Sequence, residues 1–122
     1  MNFIRNILNS RSQEDGNFFL PLKAILGFKP KIKSLYVKAF THRSMNLKDK
    51  EGNAMNYERL EFVGDAMLSA VIAAYLFEQV PHGDEGYLTK MRSKVVSREH
   101  LNELGKDLAL IDLVQSRIPK SN

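Results

Sequence analysis

Residues 57–68, YERLEFVGDAML, bring three carboxylates to where they can act together: Glu58, Glu61 and Asp65. On a helix Glu61 and Asp65 are i and i+4 neighbours with Cβ atoms about 5–6 Å apart, and Glu58 lies one turn earlier on nearly the same side. The positions around them are apolar: Leu60, Phe62, Val63, Ala66, Met67, Leu68, Val71 and Ile72. Acids held close in such surroundings repel one another and resist desolvation unless something neutralises them. A hard divalent cation does so, because Mg²⁺ takes carboxylate oxygens and keeps several waters. A bound ion of this kind activates water and stabilises a phosphoryl transition state. A wet helix face with salt bridges from Arg59 or the basic first half also accounts for the spacing. Gly64 costs a helix about 1 kcal/mol relative to alanine, and its place directly before Asp65 points to close approach by another backbone or by a ligand. Glu58, Phe62 and Asp65 form an i, i+4, i+7 row, in which Phe62 taken alone reads as a core residue.

The elements that must hold this segment read as almost entirely helical, and the fold class expected is all-α. Residues 1–17 are an arm or short helix, and 18–122 form one domain. Residues 18–26 are an apolar helix with Pro21 in its first turn, Gly27 as its cap and Pro30 blocking continuation. Residues 32–41 have helical spacing, 45–56 a polar loop, and 57–80 the longest periodic stretch. Pro81, Gly83 and Gly86 break the chain. One long helix is then expected over 88–105 and a short one over 107–114. No stretch shows sustained strand alternation with hairpin turns.

A chain of 122 residues with 43% hydrophobic and 26% charged residues has the proportions of a single soluble domain. It has no cysteine, which excludes disulfides, thiolate metal sites and cysteine nucleophiles. The longest apolar run, 66–77, falls short of the roughly 18–20 residues of a membrane span, and no leader is recognisable; a cytoplasmic protein with no membrane partner is expected. Charge is uneven within a net +4: residues 1–50 carry ten Lys and Arg against three acids, and residues 51–122 carry eight against eleven. A basic half beside an acidic half suits a polyanion partner, although scattered solvated charge gives the same counts.

The run ERLEFVGDAML resembles the signature helix of the ribonuclease III family, ERLEFLGDAVL, with only Val63 and Met67 differing. Flanking segments agree: GFKP at 27–30, THRS at 41–44, and EGYLT at 85–89 followed by MRSKVVS at 91–97 are similar to the family's corresponding stretches. The stretch 104–110 is similar to its next helix and turn. The resemblance covers about residues 18–118.

That resemblance implies a helical endonuclease domain forming a symmetric homodimer that holds double-stranded RNA. Each subunit would use Mg²⁺, or Mn²⁺ in its place, to hydrolyse one strand, leaving 5′-phosphate and 3′-hydroxyl ends, in RNA processing that includes rRNA. It implies Glu61 and Asp65 as catalytic, metal-binding acids. It places Glu58 and Phe62 at the dimer interface, and Glu85 near the cleft and the subunit boundary. The family's second acid pair, in a segment resembling GDxFEAxxGAxY, is not found here, since neither Asp107 nor Asp112 has that context. Its double-stranded RNA-binding domain is also absent. The chain therefore reads as a fragment, inactive alone and binding little Mg²⁺, with Val71, Ile72 and Tyr75 uncovered and the chain consequently oligomeric or partly molten. Glu85 or Asp107 are the substitutes to consider should it cut. A non-catalytic, dimerising double-stranded RNA-binding module is the alternative. His42 is expected to be structural or capping, and His82 and His100 without a role. Arg92, Lys94 and Arg98 either meet phosphates or pair with Glu99 and Glu103. Lys29, Lys31 and Lys33 contact RNA backbone or form a solvated loop.

Overall fold

The structure, a computed structural model, describes residues 16–117. The expected arm over 1–15 and the tail over 118–122 lie outside the described residues. Five helices follow in order: α1 (Gly16–Leu26), α2 (Lys33–Ala39), α3 (Glu58–Gln79), α4 (Glu85–Val95) and α5 (Arg98–Asp107). Single 3₁₀ turns lie at Arg43–Met45 and Ile111–Leu113. No strand occurs among the described residues, only isolated bridges joining Thr41 to Gln115 and Lys48 to Ala54. The fold is all-α, as expected.

The chain divides between Tyr36 and Val37 into two compact units. In the first, α1 stops at Gly27, whose φ of 79° is the left-handed conformation glycine adopts freely, and whose N–H donates to the Lys23 carbonyl at 2.9 Å. Leu22 is fully buried. The Phe18 and Phe19 rings meet edge to face at 4.8 Å, and Lys33 Nζ lies 5.0 Å from the Phe19 ring centre.

In the second unit α3 packs on α4 and α4 on α5, with Leu76 and Leu113 buried. The turn after α3 is tight: a Cβ on Gly83 would stand 3.0 Å from carbons of Tyr87 and Val80. Asp84 then caps α4, its Oδ1 accepting the Tyr87 N–H at 2.8 Å, so α4 starts at Glu85 and not at Leu88. The single helix expected over 88–105 is two helices. Ser97 is extended, with φ −63° and ψ 150°, and its hydroxyl accepts the His100 N–H at 3.2 Å. A serine that caps a new helix cannot continue the old one. The helix expected over 107–114 is also corrected. Asp107 ends α5 and one 3₁₀ turn follows, because Leu110 N–H bonds to Gly105 O and Ala109 N–H to Lys106 O, both at 2.9 Å. Ala109 takes the left-handed position of this closure at φ 59°, where an L-residue costs roughly 1–2 kcal/mol.

Helix α3 leaves much of its apolar surface uncovered. Phe62 is 83% exposed and Phe77 75%, with Met67, Val71 and Tyr75 also exposed and Ile72 half-buried. At 22 residues and mean hydropathy 1.6 it is long and apolar enough to cross a membrane by length and composition, which corrects the dozen-residue apolar run read from the sequence.

Candidate functional site

The acid-bearing helix begins without help from its own cap residue, since Tyr57 makes no side-chain cap bond. Two other groups fix its start. Asn56 Oδ1 accepts the Glu58 N–H at 3.0 Å, and the Thr41 carbonyl accepts the Tyr57 N–H at 3.0 Å. Thr41 is itself 2% exposed, with its hydroxyl donating to the Val37 carbonyl at 2.6 Å. His42 caps the Arg43–Met45 turn, its Nδ1 accepting the Ser44 N–H at 3.1 Å, which is the capping role expected of it. Asn46 closes that turn in the left-handed conformation at φ 53°.

Along α3, Glu58, Glu61, Phe62, Gly64, Asp65, Ala66 and Leu68 line a groove of about 630 Å³ completed by Leu101 of α5. Four of the five expected site residues thus share one surface. The fifth, Glu85, does not. It lines a separate groove of about 380 Å³ between α3 and α4, with Phe77 and Arg92 among its neighbours.

Glu61 and Asp65 are exposed, and among the described residues neither enters an ion pair; Glu58 alone pairs, with Arg43 at 3.7 Å. That contact is exposed on both sides, and such pairs contribute about 0–1 kcal/mol. Of the salt bridges expected from Arg59 or the basic first half, the described residues show the one from Arg43 of that half to Glu58, and none from Arg59. Phe62 leaves the core to which its spacing alone assigned it. Around Gly64 a Cβ would meet nothing within 4 Å, so no backbone of the described chain makes the close approach its position suggested.

The donor chemistry of Glu61 and Asp65 fits a hard divalent cation, because both offer carboxylate oxygens. The number of donors does not make a cage. Among the described residues no group of three or more His, Asp or Glu stands where it would hold a metal. Two carboxylates would leave most of an octahedral shell to water.

Leu101, Asn56 and the 41–44 turn were not singled out as site-builders from sequence. The Asn56 signal was legible in principle, since an Asn two residues before a helical Glu is a local cap. The loop after the turn is organised by Asp49. Its Oδ1 accepts the N–H groups of Glu51 at 3.0 Å and Asn53 at 2.9 Å, and its Oδ2 accepts Lys38 Nζ at 3.2 Å. The Asn53 N–H above all, then the Lys38 ammonium, holds the Asp49 carboxyl below its ordinary value. Lys94 and Arg98 are exposed, Arg92 is half-buried, and none of the three pairs with an acid among the described residues.

A family model described as ribonuclease-III-like matches residues 33–121. A protein named ribonuclease 3 from Zunongwangia profunda is 68% identical over 119 residues, which are 98% of this chain and 49% of that protein. One of the same name from Flavobacterium psychrophilum is 65% identical over 123 residues, 100% of this chain and 50% of that protein. The chain thus spans about half the length of these curated relatives. Among solved structures, the nuclease domain of ribonuclease III from Campylobacter jejuni, described for structural flexibility in its dimer-forming region, superposes with a TM-score of 0.69. It is 34% identical, covering 80% of this chain and 64% of that one.

Proposed function

The chain belongs to the ribonuclease-III-like family, and from that premise we propose that it carries the acid-bearing part of a divalent-metal-dependent endoribonuclease that hydrolyses double-stranded RNA, leaving 5′-phosphate and 3′-hydroxyl ends. One observation supports this most: Glu61 and Asp65 stand adjacent in an open groove, exposed and in no ion pair among the described residues. When bound, Mg²⁺ supplies a water of lowered pKa and charge stabilisation for the phosphoryl transition state.

This chain's own residues have simpler tasks. Glu61 and Asp65 present oxygens to the ion. Phe62, between them and 83% exposed, inserts into a second copy to form a homodimer, with Glu58 beside it. Glu85 stands apart from the acid pair and belongs to the subunit boundary, not to the ion. The substrate is read by A-form shape and backbone, not by sequence. Cytoplasmic RNA processing, of ribosomal precursors among others, is the setting that goes with this reading.

The test uses a polypeptide of the relatives' length carrying this segment. Glu61→Gln and Asp65→Asn should each lower Mg²⁺-dependent cleavage about a thousandfold or more, some 4 kcal/mol of transition-state stabilisation, while binding to double-stranded RNA survives. A variant that cuts at near wild-type rate would remove that residue from the site. An unsubstituted protein that binds and dimerises but never cuts would instead be a binding module. The 122-residue chain alone should cut little or not at all, and robust metal-dependent cleavage by it would overturn the need for further ligands.

A further inference from the structure

The 41–44 turn lies between the start of α3 and the segment 115–117, and it bonds to both. On one side His42 N–H donates to the Gln115 carbonyl at 2.8 Å and Gln115 N–H to the Phe40 carbonyl at 2.7 Å. Arg117 N–H donates to Ser44 Oγ at 2.9 Å, and the Ser116 hydroxyl lies 3.2 Å from the same oxygen. On the other side Thr41 O accepts the Tyr57 N–H at 3.0 Å, and the His42 ring meets the Tyr57 ring edge-on at 5.7 Å.

One ring nitrogen and one hydroxyl join this cluster. His42 Nδ1 accepts the Ser44 N–H, so it carries a lone pair. The Ser44 hydroxyl lies 2.8 Å from that nitrogen and donates to it in the tautomer that leaves Nδ1 unprotonated. The same oxygen accepts the Arg117 N–H and shares a hydrogen bond with the Ser116 hydroxyl. A single acceptor atom, His42 Nδ1, thus orients the serine that gathers 115–117.

The path to the acids is short. The Tyr57 carbonyl accepts the Glu61 N–H at 2.7 Å, the first intrahelical bond of α3, so Glu61 hangs directly on the residue that Thr41 holds. We propose that His42 is a positioning residue for Glu61: through Ser44 and Tyr57 it locks the turn to 115–117 and to the start of α3, and so fixes the carboxylate pair against the groove. The proposal rests on the metal-site reading above for its purpose, but not for its test.

That test uses the 122-residue chain and amide hydrogen exchange by NMR. His42→Ala should speed exchange at the Tyr57 and Arg117 amides about tenfold, the loss of one or two local hydrogen bonds, with α4 amides unchanged. His42→Asn, whose Oδ1 reaches where Nδ1 stood, should restore protection to within about twofold, whereas His42→Gln, reaching the Nε2 position, should not. In the same samples Mn²⁺ alone is titrated and the paramagnetic broadening at Glu61 and Asp65 is read. His42→Ala should need several-fold more Mn²⁺, and His42→Asn should return the midpoint. Asparagine behaving as alanine does, or exchange rising equally in α4, would reduce His42 to general packing and overturn the proposal. If the unsubstituted chain shows no Mn²⁺ broadening, the result counts against the carboxylate pair as a metal site in this chain, and exchange at Tyr57 then decides the role of His42 by itself.

Discussion

The 41–44 turn is joined to the start of α3 by the bond from Tyr57 N–H to Thr41 O, the His42–Tyr57 ring contact and the exposed Arg43–Glu58 pair, yet the turn and the groove face of α3 dispose of their polar groups in opposite ways. In the turn, Thr41, His42 and Ser44 spend hydroxyls, ring nitrogen and backbone on partners within the chain. On α3, Glu61 and Asp65 make no ion pair among the described residues, and Phe62 projects outward. Both stretches lie within the residues that the family model matches, so resemblance alone does not tell scaffold from site. Satisfaction does. A polar group already bonded inside the molecule holds shape, and one left open beside exposed apolar surface is free to meet a partner.

The contrast is broken most directly at Phe62. If its face awaits a second copy, Phe62→Ala should weaken dimerisation of a relative-length protein by about 2–4 kcal/mol and leave the stability of the folded chain within about 0.5 kcal/mol. Sedimentation beside thermal melts reads both, and a chain that melts early without any shift in association would return Phe62 to the core.

Thr41 should behave in the opposite sense. Thr41→Val keeps the shape and removes the donor to Val37 O, so the chain itself should lose about 1 kcal/mol. A calorimetric or circular-dichroism melt should show the midpoint falling by several degrees, whether or not a partner is present. A melt unchanged by the substitution would mean that the buried hydroxyl is dispensable.

Gly64 sharpens the comparison because its two possible environments predict opposite signs. With nothing near its Cβ position in this chain, Gly64→Ala should stabilise α3 by up to about 1 kcal/mol. In a dimer or an RNA complex the added methyl occupies the groove, and association should weaken. Denaturant melts of the chain set against binding of the relative-length protein separate the two, and stabilisation in both would leave the groove without an occupant.

The smallest effect belongs to Asp49. Its carboxyl is held below the ordinary value first by Asn53 N–H and then by Lys38, so the unfolded group titrates at higher pH than the folded one. The support it gives the 48–54 loop is therefore fully present above the unfolded carboxylate value. It fades as pH falls through the lowered folded value. Exchange at the Asn53 amide, followed from neutral to strongly acidic pH, should show late loosening that Asp49→Asn abolishes, with the α3 groove unaffected.

Much of the fold was legible because its signals are local. Gly27 and Pro30 end α1 and keep the next helix apart, and the apolar periodicity of 57–80 gives α3 nearly to its ends. The misread stretch, 88–105, failed for a local reason too. Ser97 sits in a pattern that continues helically on both sides, and only its extended backbone and its bond to His100 reveal a cap. The start of α4 moved for the same reason at Asp84.

Sequence by itself determined the helical class, the family, and the i, i+4 placement of Glu61 and Asp65, since each follows from residue types at fixed spacing along one chain. Tertiary structure decided what spacing cannot carry. It put Phe62 on the surface, because no described element packs over that face. It separated Glu85 from the acid pair, because the tight turn at Gly83 sends α4 back along the far part of α3. It joined residues more than seventy positions apart, Ser44 to Ser116 and Arg117, because a hydroxyl with lone pairs to spare takes the donors that the folded chain brings to it, however distant they are in sequence.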